Sequence, residues 1–117
     1  RKDMKKVINN TGYIDWKNPM INTITEIKLK KEQEIESVSV FWYDDEGGVQ
    51  LPESWNIEYH ANGEWHKFNL YVTDSYGTQA DQFNMVHPAE PIKADAIRLN
   101  IKPKSYAAVG ILEVAIE

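Results

Sequence analysis

The sequence contains no cysteine among its 117 residues. This absence excludes disulfide bonds, thiolate metal ligands and a cysteine nucleophile. It leaves the compartment open, because an exported protein need not use disulfides. The histidines His60, His66 and His87 lack the close ligand spacing of a zinc site. The sequence also lacks an EF-hand loop, a phosphate-cradling glycine loop and a nucleophile elbow, so no cofactor is expected from the residues themselves.

Positive charge is in deficit, since 13 Lys and Arg stand against 18 Asp and Glu, for a net charge of −5. Nucleic acids and anionic membranes are bound by clustered positive charge, so neither is an expected partner. No run approaches the roughly 18 consecutive apolar residues of a membrane-spanning helix, and no signal peptide is found. Because the sequence starts at an arginine, we expect an excised piece whose export signal, if any, lies elsewhere.

Apolar residues are sufficient for one core, because 42% of the 117 residues are hydrophobic. Residues 1–10 are basic and poor in apolar side chains, which predicts a linker or weakly packed lead-in, with a helical turn as the alternative. Residues 11–117 are predicted to form one module. They show no internal repeat and no helix.

The most informative stretch is residues 35–59, which reads IESVSVFWY, then DDEGGVQLPES, then WNIEY. In the first segment a period of two places apolar groups on both faces, which predicts a central strand covered on both sides. The last segment alternates apolar and polar residues, which predicts a strand with one buried and one wet face. Trp42 and Trp55 are therefore predicted core residues. Between the strands, glycines and a proline break regular structure, and this acidic loop is the predicted place for function.

The segment HANGEW is the clearest hairpin signal, because Asn-Gly tolerates the positive φ angles of a tight reversal. A two-residue turn would set Glu58 opposite Lys67 as a charge pair and leave His60 and Trp65 on the outer face. A three-residue turn with a bulge would bring Trp65 inward instead. Both registers are open at this stage.

Further strands are predicted at residues 24–29, 83–87, 96–101 and 109–116, with a short charged turn at residues 30–34. Seven or so strands with apolar faces to bury imply two packed antiparallel sheets. The predicted fold is therefore all-β, an antiparallel β-sandwich or jelly roll.

Alternating strand directions sort the connections onto two ends of this sandwich. One end receives residues 9–23, 44–54, 71–82 and 102–108, and the other receives residues 30–34, 61–63 and 88–94. The first end collects the long loops, the acidic cluster and several aromatic side chains. Recognition on a β-sandwich usually resides in such loops, so this end is the predicted binding end.

The segment FWYDDEGGVQLPESWNIEY, with GEW after it, resembles the discoidin-like (F5/8 type C, galactose-binding-like) modules of bacterial glycoside hydrolases. It resembles in particular the C-terminal module of beta-L-arabinofuranosidase-like enzymes. The tail segments FNMV, AIRLNI and VGILEVAI resemble the closing strands of these modules, so the resemblance runs from Tyr13 to the end. The chain departs from them at Val49, where they often have a cysteine, and in a front end too short for their usual first strand.

The resemblance implies a galactose-binding-like β-sandwich that accompanies the catalytic domain of a parent glycoside hydrolase. It implies a secreted bacterial protein, extracellular or periplasmic, and in some such modules a structural calcium. A site for sugar needs an exposed aromatic ring for the C–H faces and carboxylates or amides for the hydroxyls. The candidate carbohydrate-binding residues are Tyr13, Trp16, Asn18, Asp44, Asp45, Tyr76 and Tyr106. The alternative is structural, with Tyr13 and Trp16 plugging the mouth of the sandwich and the other two tyrosines packing their own loops.

Asp44, Asp45 and Glu46 also raise the possibility of a glycosidase. Hydrolysis needs two carboxyl groups roughly 5 to 9 Å apart that flank the bond, one of them with a raised pKa. Adjacent residues at a strand end point in different directions, and this loop reads as solvated. We therefore predict a non-catalytic carbohydrate-binding accessory module. The alternatives are a purely structural module that packs on a catalytic domain and a protein-adhesion domain.

Overall fold

The described residues form eight strands in two four-stranded antiparallel sheets that share one hydrophobic core. The computed structural model of the protein describes the backbone of residues 6–9 and 23–117, and the side chains from residue 24 onward. The strands are β1 (Lys6–Asn9), β2 (Thr23–Ile35), β3 (Val38–Tyr43), β4 (Ser54–Ala61), β5 (Glu64–Lys67), β6 (Phe83–Val86), β7 (Ile92–Lys102) and β8 (Gly110–Ile116). Sheet A has the order β1-β8-β3-β6, and sheet B has the order β2-β7-β4-β5. The predicted all-β sandwich is confirmed. The described residues contain no helix long and apolar enough to cross a membrane.

Core side chains come from alternate positions of both sheets. Val38, Val40 and Trp42 of β3 are buried, as are Trp55 and Ile57 of β4. The predicted core positions of both tryptophans are confirmed. Strand β3 lies between β8 and β6, which confirms the predicted central strand.

The outer face of β3 is less covered than its apolar alternation predicted. Ser39 is buried there, whereas Phe41 and Tyr43 are only partly buried. Phe41 packs edge-on against Phe83 of the edge strand β6, with ring centroids 5.3 Å apart at 89°. Phe83 is itself exposed, so this face is apolar without being enclosed.

Strand β2 is interrupted by a bulge, here called the β2 bulge and defined as residues 29–32. The ladder to β7 passes from the pair Lys28 and Ala96 directly to the pair Gln33 and Ala94. The bulged residues therefore stand opposite a single residue of β7, and they interrupt the pairing at an edge of sheet B.

The charged turn predicted at residues 30–34 is wrong, because these residues belong to β2 and its bulge. A run of charged residues without alternation looks like a turn in sequence. The chain reverses instead at Glu36 and Ser37, whose N–H groups both donate to the carbonyl of Glu117, at 2.7 and 3.2 Å.

Two segments pair earlier in the chain than the sequence indicated. Residues 6–9 fall in the interval predicted as a linker or lead-in, yet they form β1, which is antiparallel to β8. The N-terminal part of the chain was expected to be too short for a first strand, but residues 6–9 form one. Strand β7 begins at Ile92, within the predicted loop 88–94, because its first residues pair with the end of β2.

The hairpin from β4 to β5 has the predicted two-residue turn. Asn62 and Gly63 have φ angles of 54° and 79°, which an Asn-Gly pair accepts. Glu58 stands opposite Lys67 in the ladder as predicted. The predicted charge pair between Glu58 and Lys67 is wrong, because the Glu58 carboxylate accepts hydrogen bonds from Arg98 instead, at 2.9 and 2.7 Å.

Trp55→Ala should lower the free energy of unfolding by about 3 to 5 kcal/mol, because it empties a buried aromatic site. Urea denaturation of wild type and variant measures the difference. Ser54→Ala, at the exposed preceding position, is the control and should change stability by no more than about 0.5 kcal/mol. A loss below about 1 kcal/mol for Trp55→Ala would contradict its burial.

Candidate functional site

Two of the predicted binding loops are joined by main-chain hydrogen bonds at one end of the sandwich. Gln50 N–H donates to the Ala108 carbonyl at 2.9 Å, and Ala108 N–H donates to the Gly48 carbonyl at 2.8 Å. We call this end, made by residues 44–53, 75–82 and 103–109, the loop end. The predicted grouping of the β3–β4 and β7–β8 loops is confirmed.

Residues 71–82, in the connection from β5 to β6, were predicted to lie at the loop end, but only part of this connection does. Tyr71 N–H donates to the His87 carbonyl at 2.9 Å, and Ala89 N–H donates to the Asn69 carbonyl at 2.8 Å. Because β6 begins at the loop end and finishes opposite it, the first part of this connection lies beside the far end. Only the later part reaches the loop end.

Gly77 anchors that later part to both sheets. Its carbonyl accepts hydrogen bonds from the indole N–H of Trp42 in sheet A, at 3.3 Å, and of Trp55 in sheet B, at 2.8 Å. The two indole rings meet across the core with centroids 5.3 Å apart at 75°. One peptide group therefore satisfies both buried donors.

Asn84 fixes the same segment from β6. Its Nδ2 donates to the carbonyls of Val40, Gln79 and Gln82, at 3.2, 3.0 and 3.3 Å. Its Oδ1 accepts from Gln79 N–H at 2.9 Å. A Cβ at position 77 would lie 2.7 Å from this Oδ1, so the close approach requires glycine.

Tyr76, a predicted binding residue, is placed against the scaffold. Its ring packs on Trp55 with centroids 4.8 Å apart. Its hydroxyl donates to the Phe68 carbonyl at 3.2 Å and accepts from Ile57 N–H at 3.1 Å. These contacts favour the loop-packing alternative, because the polar tip of the side chain is already engaged.

Asp44 and Asp45 organise the acidic loop with one carboxylate oxygen each. Asp44 Oδ1 accepts from Glu46 N–H at 2.6 Å. Asp45 Oδ1 accepts from the N–H groups of Gly47 and Val49, at 2.7 and 3.1 Å. The bonds from Glu46 and Gly47 are Asx-type turns, and Asp45 N–H also donates to the Val49 carbonyl at 3.0 Å, so the loop is ordered by its own residues. The Oδ2 atoms make no hydrogen bond to other described residues, so each aspartate keeps an acceptor for a ligand hydroxyl.

Tyr106 lies in a turn of the adjoining β7–β8 loop and is 70% exposed. The residue that joins its loop to the acidic loop is Val49, which is fully buried and bridges to Ala108. Sequence analysis missed this link, although an apolar residue inside a polar loop was a visible signal. The loop end thus presents an exposed phenol ring on a loop bonded to one that carries two carboxylates.

Tyr13, Trp16 and Asn18, the remaining predicted binding residues, lie outside the described residues. Among residues 24–117, whose side chains are described, no three His, Asp or Glu side chains come together as a group that could hold a metal ion.

No family model matches the sequence. Solved structures with its fold include one of the Streptococcus pneumoniae beta-galactosidase BgaA, 16% identical with a TM-score of 0.70, over 94% of this chain and 72% of that one. The family 32 carbohydrate-binding module of C. perfringens NanJ, in complex with galactose, is 14% identical with a TM-score of 0.62, over 96% of this chain and 91% of that one. The family 32 module of AlyQ, in complex with 4,5-unsaturated mannuronic acid, is 17% identical with a TM-score of 0.58, over 98% of this chain and 95% of that one. The β-sandwich fold implied by the resemblance is thereby confirmed.

Tyr76→Phe should lower the free energy of unfolding at neutral pH by about 1 to 3 kcal/mol, because Ile57 N–H and the Phe68 carbonyl lose their shared partner. Burial raises the pKa of Tyr76, and the hydrogen bond from Ile57 only partly opposes it. The stability supplied by the neutral hydroxyl is therefore intact below the ordinary tyrosine pKa of about 10 and is lost as the pH rises through the folded-state pKa.

Urea denaturation at neutral and alkaline pH measures this effect. The stability difference between wild type and Tyr76→Phe should shrink as the pH rises above about 10. Tyr106→Phe, which changes an exposed hydroxyl, is the matched control and should show little difference at either pH. A Tyr76→Phe difference that stays constant with pH would contradict the assignment.

Proposed function

We propose that this chain is a non-catalytic carbohydrate-binding accessory module of a larger glycoside hydrolase, secreted by a bacterium to the periplasm or the exterior. Its partners are a carbohydrate and the catalytic domain of the parent chain. The binding surface is the loop end, with Asp44, Asp45 and Tyr106 as contact residues. Tyr13, Trp16 and Asn18 belong to the same proposal on sequence grounds, and Tyr76 supports the site from beneath.

The observation that carries the proposal is the exposed ring of Tyr106 on a loop bonded to the acidic loop. A ring with 70% of its surface in water gains little from folding and is free to stack on the C–H face of a sugar. The carboxylates beside it are ordered by their own loop, so a ligand would not have to pay for ordering them. A galactose complex of the NanJ module, which has the same fold, supports a sugar as the ligand class and makes galactose a suitable first probe.

The geometry favours binding over catalysis. In each aspartate one oxygen accepts hydrogen bonds from main-chain N–H groups of its own loop, so the carboxylates order the loop and do not face each other across a substrate bond. A glycosidase needs a carboxylic acid held protonated in a site that flanks the substrate bond. The acidic loop is solvated at its tip, since Asp45, Glu46 and Gly47 are exposed, and the residues that the structure describes form no such environment there.

A purely structural module remains the second candidate function. The observation that favours it is an exposed apolar patch on the outer face of sheet A, made by Phe83 and Met85 of β6 together with Phe41 of β3. A patch of this kind suits packing against another domain. If the isolated module retains no glycan on an array, this candidate is supported over carbohydrate binding.

Tyr106→Ala should leave the melting temperature nearly unchanged and weaken sugar binding at least roughly fivefold, from an expected wild-type Kd on the order of 0.1 to 1 mM. The measurement pairs a thermal melt with a galactose titration followed by intrinsic fluorescence. Tyr71→Ala is the matched control, because Tyr71 is also exposed but lies beside His87, away from the loop end. Trp16→Ala is tested in parallel, with the same expected pattern. A melting temperature lowered by many degrees with an unchanged sugar response would contradict the contact role of the residue concerned.

The purified module should hydrolyse neither aryl glycosides nor plant oligosaccharides. Chromogenic and chromatographic assays at high protein concentration test this, with the buffer alone as control. Turnover that disappears in Asp44→Asn or Asp45→Asn would overturn the non-catalytic proposal.

A further inference from the structure

A second concave surface lies on the outer face of sheet B, away from the loop end. It is a cleft of about 570 Å³ with the β2 bulge on one side and Trp65 of β5 on the other. This volume falls within the range of about 300 to 1,000 Å³ that is typical of small-molecule sites.

The strand register explains why a cleft forms at this place. Lys28, Ala96, His60 and Trp65 are direct partners in adjacent strands, so they form one row across the sheet on one face. Ala96 is the shortest side chain of that row and leaves a gap between Lys28 and His60. The β2 bulge closes the gap on its outer side, which turns a flat face into a cleft.

The aromatic wall of the cleft is fixed before any ligand arrives. The guanidinium carbon of Arg98 lies 4.1 Å from the centroid of the Trp65 ring. Arg98 in turn donates twice to Glu58 Oε1, at 2.9 and 2.7 Å, and Asn100 Nδ2 donates to the same oxygen at 3.0 Å. The cation covers one ring face and holds the indole in place, so a ligand meets an already ordered apolar wall.

The imidazole of His60 is also held in place. Its ring packs edge-on against Trp65 with centroids 5.0 Å apart, and its Nδ1 lies 2.6 Å from Asp95 Oδ1. Its Nε2 makes no hydrogen bond to the described residues. The cleft therefore contains an oriented polar atom beside its aromatic wall.

The charges of the lining decide the class of ligand. Three ammonium groups, from Lys28, Lys30 and Lys31, stand against three carboxylates of the same lining. A polyanion or a polycation would meet as many like charges as opposite ones. A pair of neighbouring sugar hydroxyls suits the mixture, because the same diol can donate to a carboxylate and accept from an ammonium group.

We propose that this cleft is a second saccharide site, which takes an uncharged sugar residue stacked against Trp65. The proposal rests on the proposed carbohydrate-binding function and adds a site that faces a different side of the module. Two separate sites on one rigid scaffold would allow the module to hold two chains of a polysaccharide, or two segments of one chain, with avidity.

Amide NMR shifts of the ¹⁵N-labelled module locate binding directly. The probes are galactotetraose and cellotetraose, both uncharged, with tetragalacturonate as the charged comparator. An uncharged probe should shift the amides of His60 and Ala96 and the indole N–H of Trp65, separately from any shift at Gly48 and Tyr106.

Each outcome is decisive. Shifts confined to the loop end would overturn the second site and leave the proposed function intact. Shifts confined to the cleft would support the second site and overturn the loop-end assignment. The absence of shifts with all three probes would overturn both. Shifts of the cleft amides by tetragalacturonate alone would overturn the assignment to an uncharged sugar.

Trp65→Ala should weaken binding at the cleft about tenfold and leave the loop-end shifts unchanged. Lys67→Ala is the matched control, because it is on the same strand, is exposed and does not line the cleft. A double substitution of Lys30→Ala and Lys31→Ala changes exposed side chains of the β2 bulge, outside the paired part of the strand, and tests the site if Trp65→Ala does not fold. An affinity at the cleft that stays within twofold of wild type in Trp65→Ala, or in the double variant where Trp65→Ala does not fold, would overturn the proposal.

Discussion

The carbonyl of Gly77 ties the two sheets together at the loop end. It is the acceptor for Trp42 from sheet A and Trp55 from sheet B, whose rings also pack on each other across the core. A buried donor without an acceptor costs about 1 to 3 kcal/mol of stability. Burial of either indole N–H is therefore unfavourable unless the loop supplies its acceptor. The loop in turn depends on Asn84, which binds its carbonyls from β6. The packing of the core therefore depends on the conformation of this loop, and the loop conformation depends on the core.

The two candidate sites obtain their order from different sources. At the loop end, the acidic loop and the β7–β8 loop are held by main-chain hydrogen bonds and by the buried side chain of Val49. On the outer face of sheet B, order comes from regular pairing, because strand register alone sets Trp65, His60 and Ala96 in one row. Exposed loop residues such as Tyr106 can change with little effect on the core. A site on the sheet face is constrained by the pairing that creates it.

Local patterns in the sequence predicted much of the fold. The alternation around Trp42 and Trp55 identified both strands and both core residues, and the Asn-Gly pair identified the hairpin. What was missed depends on residues far apart in the chain. The indole N–H of Trp42 donates to the carbonyl of Gly77, 35 residues away in the sequence. The Glu58 carboxylate accepts from Arg98, 40 residues away. No period or turn signal carries such information. The β2 bulge was missed because its charged residues have the composition of a turn.

The same bulge also bears on how the protein behaves at high concentration. Three of the four edge strands described, β1, β5 and β6, are only four residues long. The fourth, β2, has 13 residues and, if it were regular, would be long enough to pair with a strand of another copy. Its bulge interrupts the regular strand and carries the exposed charged residues Lys30, Lys31 and Glu32. Bulges and charges on an edge strand hinder edge-to-edge pairing between copies, so selection could maintain this bulge even in the absence of any ligand.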